Sequence, residues 1–327
     1  MNEMTDVLIY GAGAIGSFMG YLLSDAFEIN GRKIENVALL GRNRHINRIN
    51  ELGLQIDLPE GRKLVQFKHL FTSLDDLKAS DFYPEIVIVC VKTYSLPAVC
   101  DELRKSGLLQ GRLKNALFIL LMNGMGNREV FEELDMPDSQ VLEGITSLGV
   151  KLSEEGLVEL KGKGKTILED KMGEDKKKFM RDLFLEKGFE MGFAPDFKEH
   201  QYSKLFVNSV INPITALTRR ENGIVLTSVL KNTVEGTIRE AVKTAAKEGI
   251  TRDEKSVRKM VYSVAEKTFG NTSSMLQDVL KGRMTEIDSI NGYIIRLAKK
   301  HNIEVPVNEA LYGLVKSATG VNPSNSI

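Results

Sequence analysis

Apolar residues follow two rhythms along this chain, and the change between them divides it. Up to about residue 196, short unbroken apolar runs alternate with polar stretches: Val7–Tyr10, Asn36–Leu40, Glu85–Val91 and Asn115–Met122. Runs of this length bounded by turn residues predict strands buried on both faces, as in a parallel sheet. Helical spacing follows the first run at Phe18, Tyr21 and Leu22, and recurs in Glu174–Lys187 at Phe179, Leu183 and Phe184. Glu51–His69 carries Gly53, Pro59 and Gly61 among Leu52, Leu54, Ile56 and Leu58, which predicts a small hairpin. Leu74–Leu77 reads as a short helix or turn, and Ser95 with Pro97 as a helix start. Val141–Val150, Gly156–Leu160 and Lys165–Leu168 read as strands that extend the sheet, and Phe189–Phe193 as the last of them.

Beyond Asp196 strand patterns stop. Helices are predicted over Phe197–Arg219, Leu226–Glu248, Ser256–Thr268, Ser273–Lys281, Glu286–His301 and Pro306–Ser317. The pattern therefore predicts an α/β domain over residues 1–196 and an all-α domain over 197–327. Asp196 with Glu199 resembles a capping box at the junction. The polar tail Ala318–Ile327 is expected to fray.

One predicted helix breaks the rule that helix faces sort by polarity. Lys204, Asn208 and Asn212 recur at four-residue spacing and share a face, while Leu205, Phe206, Val207, Val210 and Ile211 fill the positions between them. A lysine and two amides there are costly to bury without partners. Pro213 follows Asn212 and disfavours helix at that residue, so a kink is expected.

Composition narrows the classes. Lys+Arg and Asp+Glu are both 44, so the formal net charge is zero and no global field favours nucleic acid or an anionic membrane. The two cysteines, Cys90 and Cys100, have no metal-ligand spacing and no disulfide framework, so no metal is expected. No apolar stretch approaches the ~18–20 residues of a membrane span. No basic leader precedes an apolar segment. A cytoplasmic protein is expected.

Gly11-Ala12-Gly13-Ala14-Ile15-Gly16 directly follows the first strand and opens a helix. Strand, glycine turn and helix in this order suit a dinucleotide: Gly11 for the turn, Gly13 for backbone approach to a pyrophosphate, Gly16 for close helix packing. A purely structural turn, or a flavin or methyl donor, would use the same glycines. After the second strand comes Gly41-Arg42-Asn43-Arg44, where an NAD site would place an acidic residue. Arg42 and Arg44 instead suit a 2′-phosphate, so NADP is the expected cofactor; two solvated loop arginines are the plain alternative. Lys92 ends the Glu85–Val91 strand, where a ligand of an open α/β sheet binds. Asn123, before Gly124, either orients a ligand or holds an Asx-type turn.

In the helical half, Asn271 and Ser274 stand three residues apart, and Glu286 opens an apolar helical pattern at Ile287, Ile290 and Ile294. By themselves Ser274 and Glu286 read as helix-start residues.

Taken together, these segments resemble the ketopantoate reductase family. The matching stretches are Gly11–Gly16, Val91–Thr93, Asn123–Gly126, Ser203–Thr215, Ser273–Asp278, Thr285–Asp288 and Ile290–Gly292, in the family's order over nearly the whole chain. The regions 51–69 and 135–166 are hard to match segment by segment. The resemblance implies a Rossmann-type domain followed by a helical domain like the C-terminal one of 6-phosphogluconate dehydrogenase. It implies reduction of 2-dehydropantoate (ketopantoate) to (R)-pantoate with NADPH, toward pantothenate and coenzyme A. By position it makes Lys204 the catalytic lysine and Glu286 its assisting carboxylate. Asn123, Asn208, Asn212 and Ser274 fall at substrate-binding positions, with Asn271 an addition. Gly11 to Gly16, Arg42, Lys92 and Asn123 fall at cofactor positions.

Hydride attack on a ketone builds negative charge on its oxygen, which a lysine can stabilise and protonate. The site is expected in a cleft between domains. The expected partner is a small keto acid, not a nucleic acid or a membrane; a homodimer is admitted. The competing readings are a related reductase of another keto acid, a non-catalytic NADP sensor, and a Lys204 that merely snorkels at a helix start.

Overall fold

The computed structural model describes residues 5–24 and 33–319, so most of the tail expected to fray lies outside the described residues. By its internal contacts the chain divides into two compact units. One comprises Met1–Met122 and Asn127–Phe197, the other Asn123–Gly126 and Lys198–Ile327.

The first unit runs β1 (Val7–Tyr10), α1 (Ala14–Leu23), β2 (Ile34–Leu40), α2 (Asn43–Leu52), β3 (Leu54–Leu58), β4 (Gly61–Val65), β5 (Phe67–Phe71) and α3 (Leu74–Ala79). It continues with β6 (Ile86–Val89), α4 (Leu96–Ser106), β7 (Leu117–Leu120), α5 (Asn127–Phe131), β8 (Val141–Thr146), β9 (Gly149–Glu154), β10 (Leu157–Gly162), β11 (Lys165–Glu169), α6 (Glu174–Glu186) and β12 (Glu190–Ala194). The main sheet has the order β12-β11-β8-β7-β6-β1-β2-β5. From β5 to β8 all neighbours are parallel, whereas β11 runs antiparallel to β8 and parallel to β12.

The six parallel strands have the doubly wound order, and strand order reverses between β1 and β6, where such sheets bind ligands. Alternation within β1 explains why it is apolar throughout. Val7 and Ile9 enter the core on one face with Phe18, Met19 and Leu22; Leu8 and Tyr10 enter the other with Val87, Val89 and Leu103. Leu8 and Ile9 are fully buried, each stabilising the fold by roughly 1.5–3 kcal/mol.

The strands read as one extension of the sheet do two things. β8 and β11 join the main sheet, but β9 and β10 leave it for a separate four-stranded sheet of order β4-β3-β10-β9. The predicted hairpin is β3 with β4, antiparallel; β10 pairs in parallel with β3. The two regions hardest to align thus contribute to one structure. Its apolar side is Leu54, Ile56, Val158 and Leu160, in the same cluster as Phe18 and Leu22 of α1.

The second unit holds α7 (Phe197–Thr218) from its second residue on, then α8 (Lys231–Lys247), α9 (Glu254–Lys267), α10 (Ser274–Leu280), α11 (Asn291–Lys300) and α12 (Pro306–Ala318). Leu205, Phe206, Val210 and Ile211 of α7 pack with Ile238, Val242, Ile290 and Ile294. Two expectations change. α8 begins at Lys231, because the preceding residues form 3-10 turns over Asn222–Leu226 and Ser228–Leu230. Glu286 does not open α11: it precedes a 3-10 turn, Ile287–Ser289, and the helix starts at Asn291. Helix α7, by contrast, runs through Asn212 and Pro213 to Thr218, as the predicted helix does. Proline leaves the carbonyl four residues earlier without its helical donor; here that carbonyl, Ser209 O, accepts a hydrogen bond from Asn291 Nδ2 at 3.0 Å. Among the described residues, no helix is long and apolar enough to cross a membrane.

Candidate active site

The glycine loop leaves β1 beside the strand-order reversal. Gly11 has φ +103, and a side chain there would press on Val91 and the Cys90 carbonyl carbon. At Gly16 a Cβ would collide with the Gly11 carbonyl oxygen, so glycine is what lets α1 approach the strand. Gly13 differs: a Cβ there would meet nothing within 4 Å. The protein leaves that direction open, as a cradle for a bound group requires. Gly13 caps α1, and the first turn of α1 has neither a capping side chain nor an acidic residue. Its outward N–H groups and the helix dipole can therefore meet a pyrophosphate. Ala12 is buried, while Ala14 and Ile15 line the loop half-buried.

Arg42 is exposed at the N-cap of α2, whose first turn carries no acidic residue, and Arg44 is exposed two residues on, within that first turn. Lys92 is half-buried and caps the 3-10 turn Thr93–Ser95 directly after β6. These groups can hold an anionic cofactor.

In the second unit, three predicted residues form a hydrogen-bonded chain. Lys204 Nζ donates to Asn123 Oδ1 at 2.9 Å, and Asn123 Nδ2 donates to Glu286 Oε2 at 3.0 Å. The two partners fix the amide's orientation, since a flipped Asn123 would face its NH2 group to the ammonium. Burial pushes the Lys204 pKa down to about 8, against the opposing pull of Glu286. Glu286 is only 5% exposed. The loop carrying Asn123 is held by its backbone: Met125 N–H donates to Ser289 O at 2.8 Å, and Gly124, at φ +72, packs so closely on Ser289 that a Cβ would overlap it. Asn123 is thus grouped with the helical unit and not, as expected, with the α/β domain.

Asn208 lies one turn after Lys204 and is half-buried, and Asn212 follows, buried. Ser274 is the exposed first residue of α10, but the capping side chain is Ser273, which accepts from Leu276 N–H and lies 2.6 Å from Thr215 Oγ1 of α7. Asn271 is exposed in the turn before α10, not on the helix; its carbonyl accepts from Asn222 N–H. The Lys204–Asn123–Glu286 chain includes neither Asn271 nor Ser274. Among the described residues no group of three or more His, Cys, Asp or Glu could hold a metal ion.

The sequence pattern of the ketopantoate reductase PanE/ApbA family matches residues 7–172, and that of its C-terminal domain matches residues 196–319. The chain belongs to this family. It is 34% identical to a 2-dehydropantoate 2-reductase of Pyrococcus horikoshii, over 95% of this chain and 96% of that protein. A 2-dehydropantoate 2-reductase of Halobacterium salinarum is 30% identical, over 95% and 98% of the two chains. A solved structure of D-mandelate dehydrogenase with NADH and anilino(oxo)acetate superimposes with a TM-score of 0.82 at 26% identity, covering 96% of this chain and 98% of that one.

Within this family member, two features escaped the sequence reading. His45 is buried, with Nδ1 3.0 Å from Gly156 N and 3.3 Å from Glu155 Oε2, and Nε2 2.9 Å from Ser17 Oγ of α1. Burial lowers its pKa, against the opposing pull of Glu155. It ties the glycine-loop helix to α2 and the β9–β10 turn. The second feature is Asn291, which donates to the Ser209 carbonyl that Pro213, 78 positions earlier in the chain (291 − 213), leaves without its i+4 backbone donor.

Proposed function

We propose that the chain reduces the ketone of 2-dehydropantoate to the hydroxyl of (R)-pantoate with NADPH, a step toward pantothenate and coenzyme A. The observation that carries this is the Lys204–Asn123–Glu286 chain beside the Asn208–Asn212 face. When bound, the nicotinamide supplies a hydride to the ketone carbon. As that bond forms, the carbonyl electron pair moves onto oxygen. Lys204 stabilises the charge and gives up one N–H proton, leaving a hydroxyl and a neutral amine that solvent reprotonates. A lysine poised near pH 8 suits this task. Asn123 holds the ammonium in place, and Glu286 supplies the opposing charge. Asn208 and Asn212 meet the substrate's oxygens, joined by Ser274 and Asn271.

NADPH is favoured over NADH because the turn after β2 offers Arg42 and no acid in the first turn of α2. Gly11 to Gly16 and Lys92 complete the cofactor site. A homodimer is part of the same proposal, checked by light scattering. Steady-state rates with ketopantoate, first with NADPH and then with NADH, test the assignment. Absence of NADPH oxidation by a folded protein would overturn it.

The similarity to D-mandelate dehydrogenase favours a second reading, reduction of a different 2-keto acid by the same lysine chemistry. A panel of 2-keto acids at equal concentration separates the two.

A further inference from the structure

Helix α7 carries a proline where it carries its polar face. Pro213 has no N–H, so Ser209 O, between Asn208 and Val210, lacks its i+4 backbone donor. Ser209 is fully buried, and a buried carbonyl without a donor is destabilising. The missing donor comes from another element. Asn291, the first residue of α11 and fully buried, gives one N–H of its amide to Ser209 O at 3.0 Å and the other to Asn308 Oδ1 at 3.0 Å.

Asn308 is itself held. Its amide donates to Thr237 O at 3.3 Å and Glu240 Oε2 at 2.8 Å, and Glu240 accepts the backbone N–H groups of Val307 and Asn308 at 2.9 Å each. A chain of hydrogen bonds therefore runs from α8 through the start of α12 and the start of α11 to the proline-freed turn of α7. Both donors of Asn291 are committed, so its amide cannot rotate to serve anything else. A second clasp lies close by: Thr215 Oγ1 meets Ser273 Oγ of the α10 cap at 2.6 Å.

We infer that Asn291 is a positioning residue. Its amide replaces the backbone donor that Pro213 lacks, and so fixes the direction in which α7 presents Asn208 and Asn212 to the substrate. The inference rests on the proposed keto-acid reduction for its kinetic part only. Ser209 O lies in the turn joining the two amides, whereas Lys204 lies a turn earlier and is held separately by Asn123. Loss of the Asn291 donor thus acts on substrate affinity more than on proton transfer.

The test is a double-variant cycle. Asn291→Ala removes the donor, and Pro213→Ala supplies a backbone N–H to the same carbonyl. In Asn291→Ala, KM for the keto acid is expected to rise about tenfold while kcat stays within about threefold, the scale of one buried hydrogen-bonding group left unpaired. Adding Pro213→Ala should recover most of the KM change and part of the lost thermal stability; the share owed to Asn308 Oδ1 should remain lost. Asn291→Asp, which keeps the shape but removes both donors, is the second variant should Asn291→Ala not fold.

A kcat loss equal to or larger than the KM change would overturn the positioning role. Additive melting shifts, with no coupling between positions 291 and 213, would overturn the inference without any substrate. If the parent protein does not reduce ketopantoate, the functional proposal fails. The KM comparison is then made on whichever keto acid of the panel is reduced, and the melting cycle decides if none is.

Discussion

The two units build their candidate sites from different materials. In the first, backbone does the work: Gly11, Gly13 and Gly16 shape a loop by what they lack, and the N–H groups of α1 face outward. In the second, side chains do it: Lys204, Asn123 and Glu286 form a chain of donors and acceptors in partial burial. A backbone site is damaged by adding atoms. A side-chain site is damaged by changing polarity at constant size. A dinucleotide pyrophosphate is the same anion for every substrate, so a rigid loop suffices; a ketone gaining charge needs a group whose protonation can change.

Substitutions can break this contrast. The largest effect is expected for Lys204→Ala: kcat should fall about 10²–10⁴-fold, with NADPH affinity by fluorescence titration unchanged. A large loss of cofactor affinity would mean the two sites are not separable. Next comes pH. The general acid must be protonated, and burial sets the Lys204 pKa at about 8. The rate should be flat below that value and fall about tenfold per pH unit above it; a flat profile to pH 10 would remove Lys204 as the proton donor. Third, Gly13→Ala and Gly16→Ala should separate. The first places a Cβ in open space, so melting should be unchanged while NADPH affinity falls about tenfold. The second drives a Cβ into the Gly11 carbonyl and should cost about 1–3 kcal/mol of stability. The smallest effect is expected for Arg42→Ala. This exposed cation should weaken NADPH binding by about fivefold and leave NADH unaffected, because solvent screens it.

Much of this was legible in the sequence, for reasons that differ by element. The strands of the main sheet were readable because both their faces are buried, leaving continuous apolar runs such as Val7–Tyr10 and Ile86–Val89. The shared face of Lys204, Asn208 and Asn212 followed from helical periodicity alone. The pairing of β3 with β10 was not legible, because local periodicity holds no information about which distant strand is the neighbour. Asn123 stayed ambiguous because Asn-Gly is also an ordinary turn, and its side-chain partners Lys204 and Glu286 lie far away in the sequence. Glu286 was misplaced as a helix start because a 3-10 turn keeps nearly the same apolar spacing as the first turn of an α-helix. Pro213 was expected to kink a helix that runs on past it, and the donor that replaces its N–H was not legible because it lies on another helix.

The small four-stranded sheet also limits how the first unit can be divided. The apolar face of α1 shares its core with Leu54 and Ile56 from one part of the chain and with Val158 and Leu160 from another. A fragment ending at Leu120 would keep the glycine loop, Arg42 and Lys92, yet leave the helix behind that loop partly uncovered. The apparent cofactor half is therefore not a detachable module: its boundary in sequence comes after the strand that closes its core.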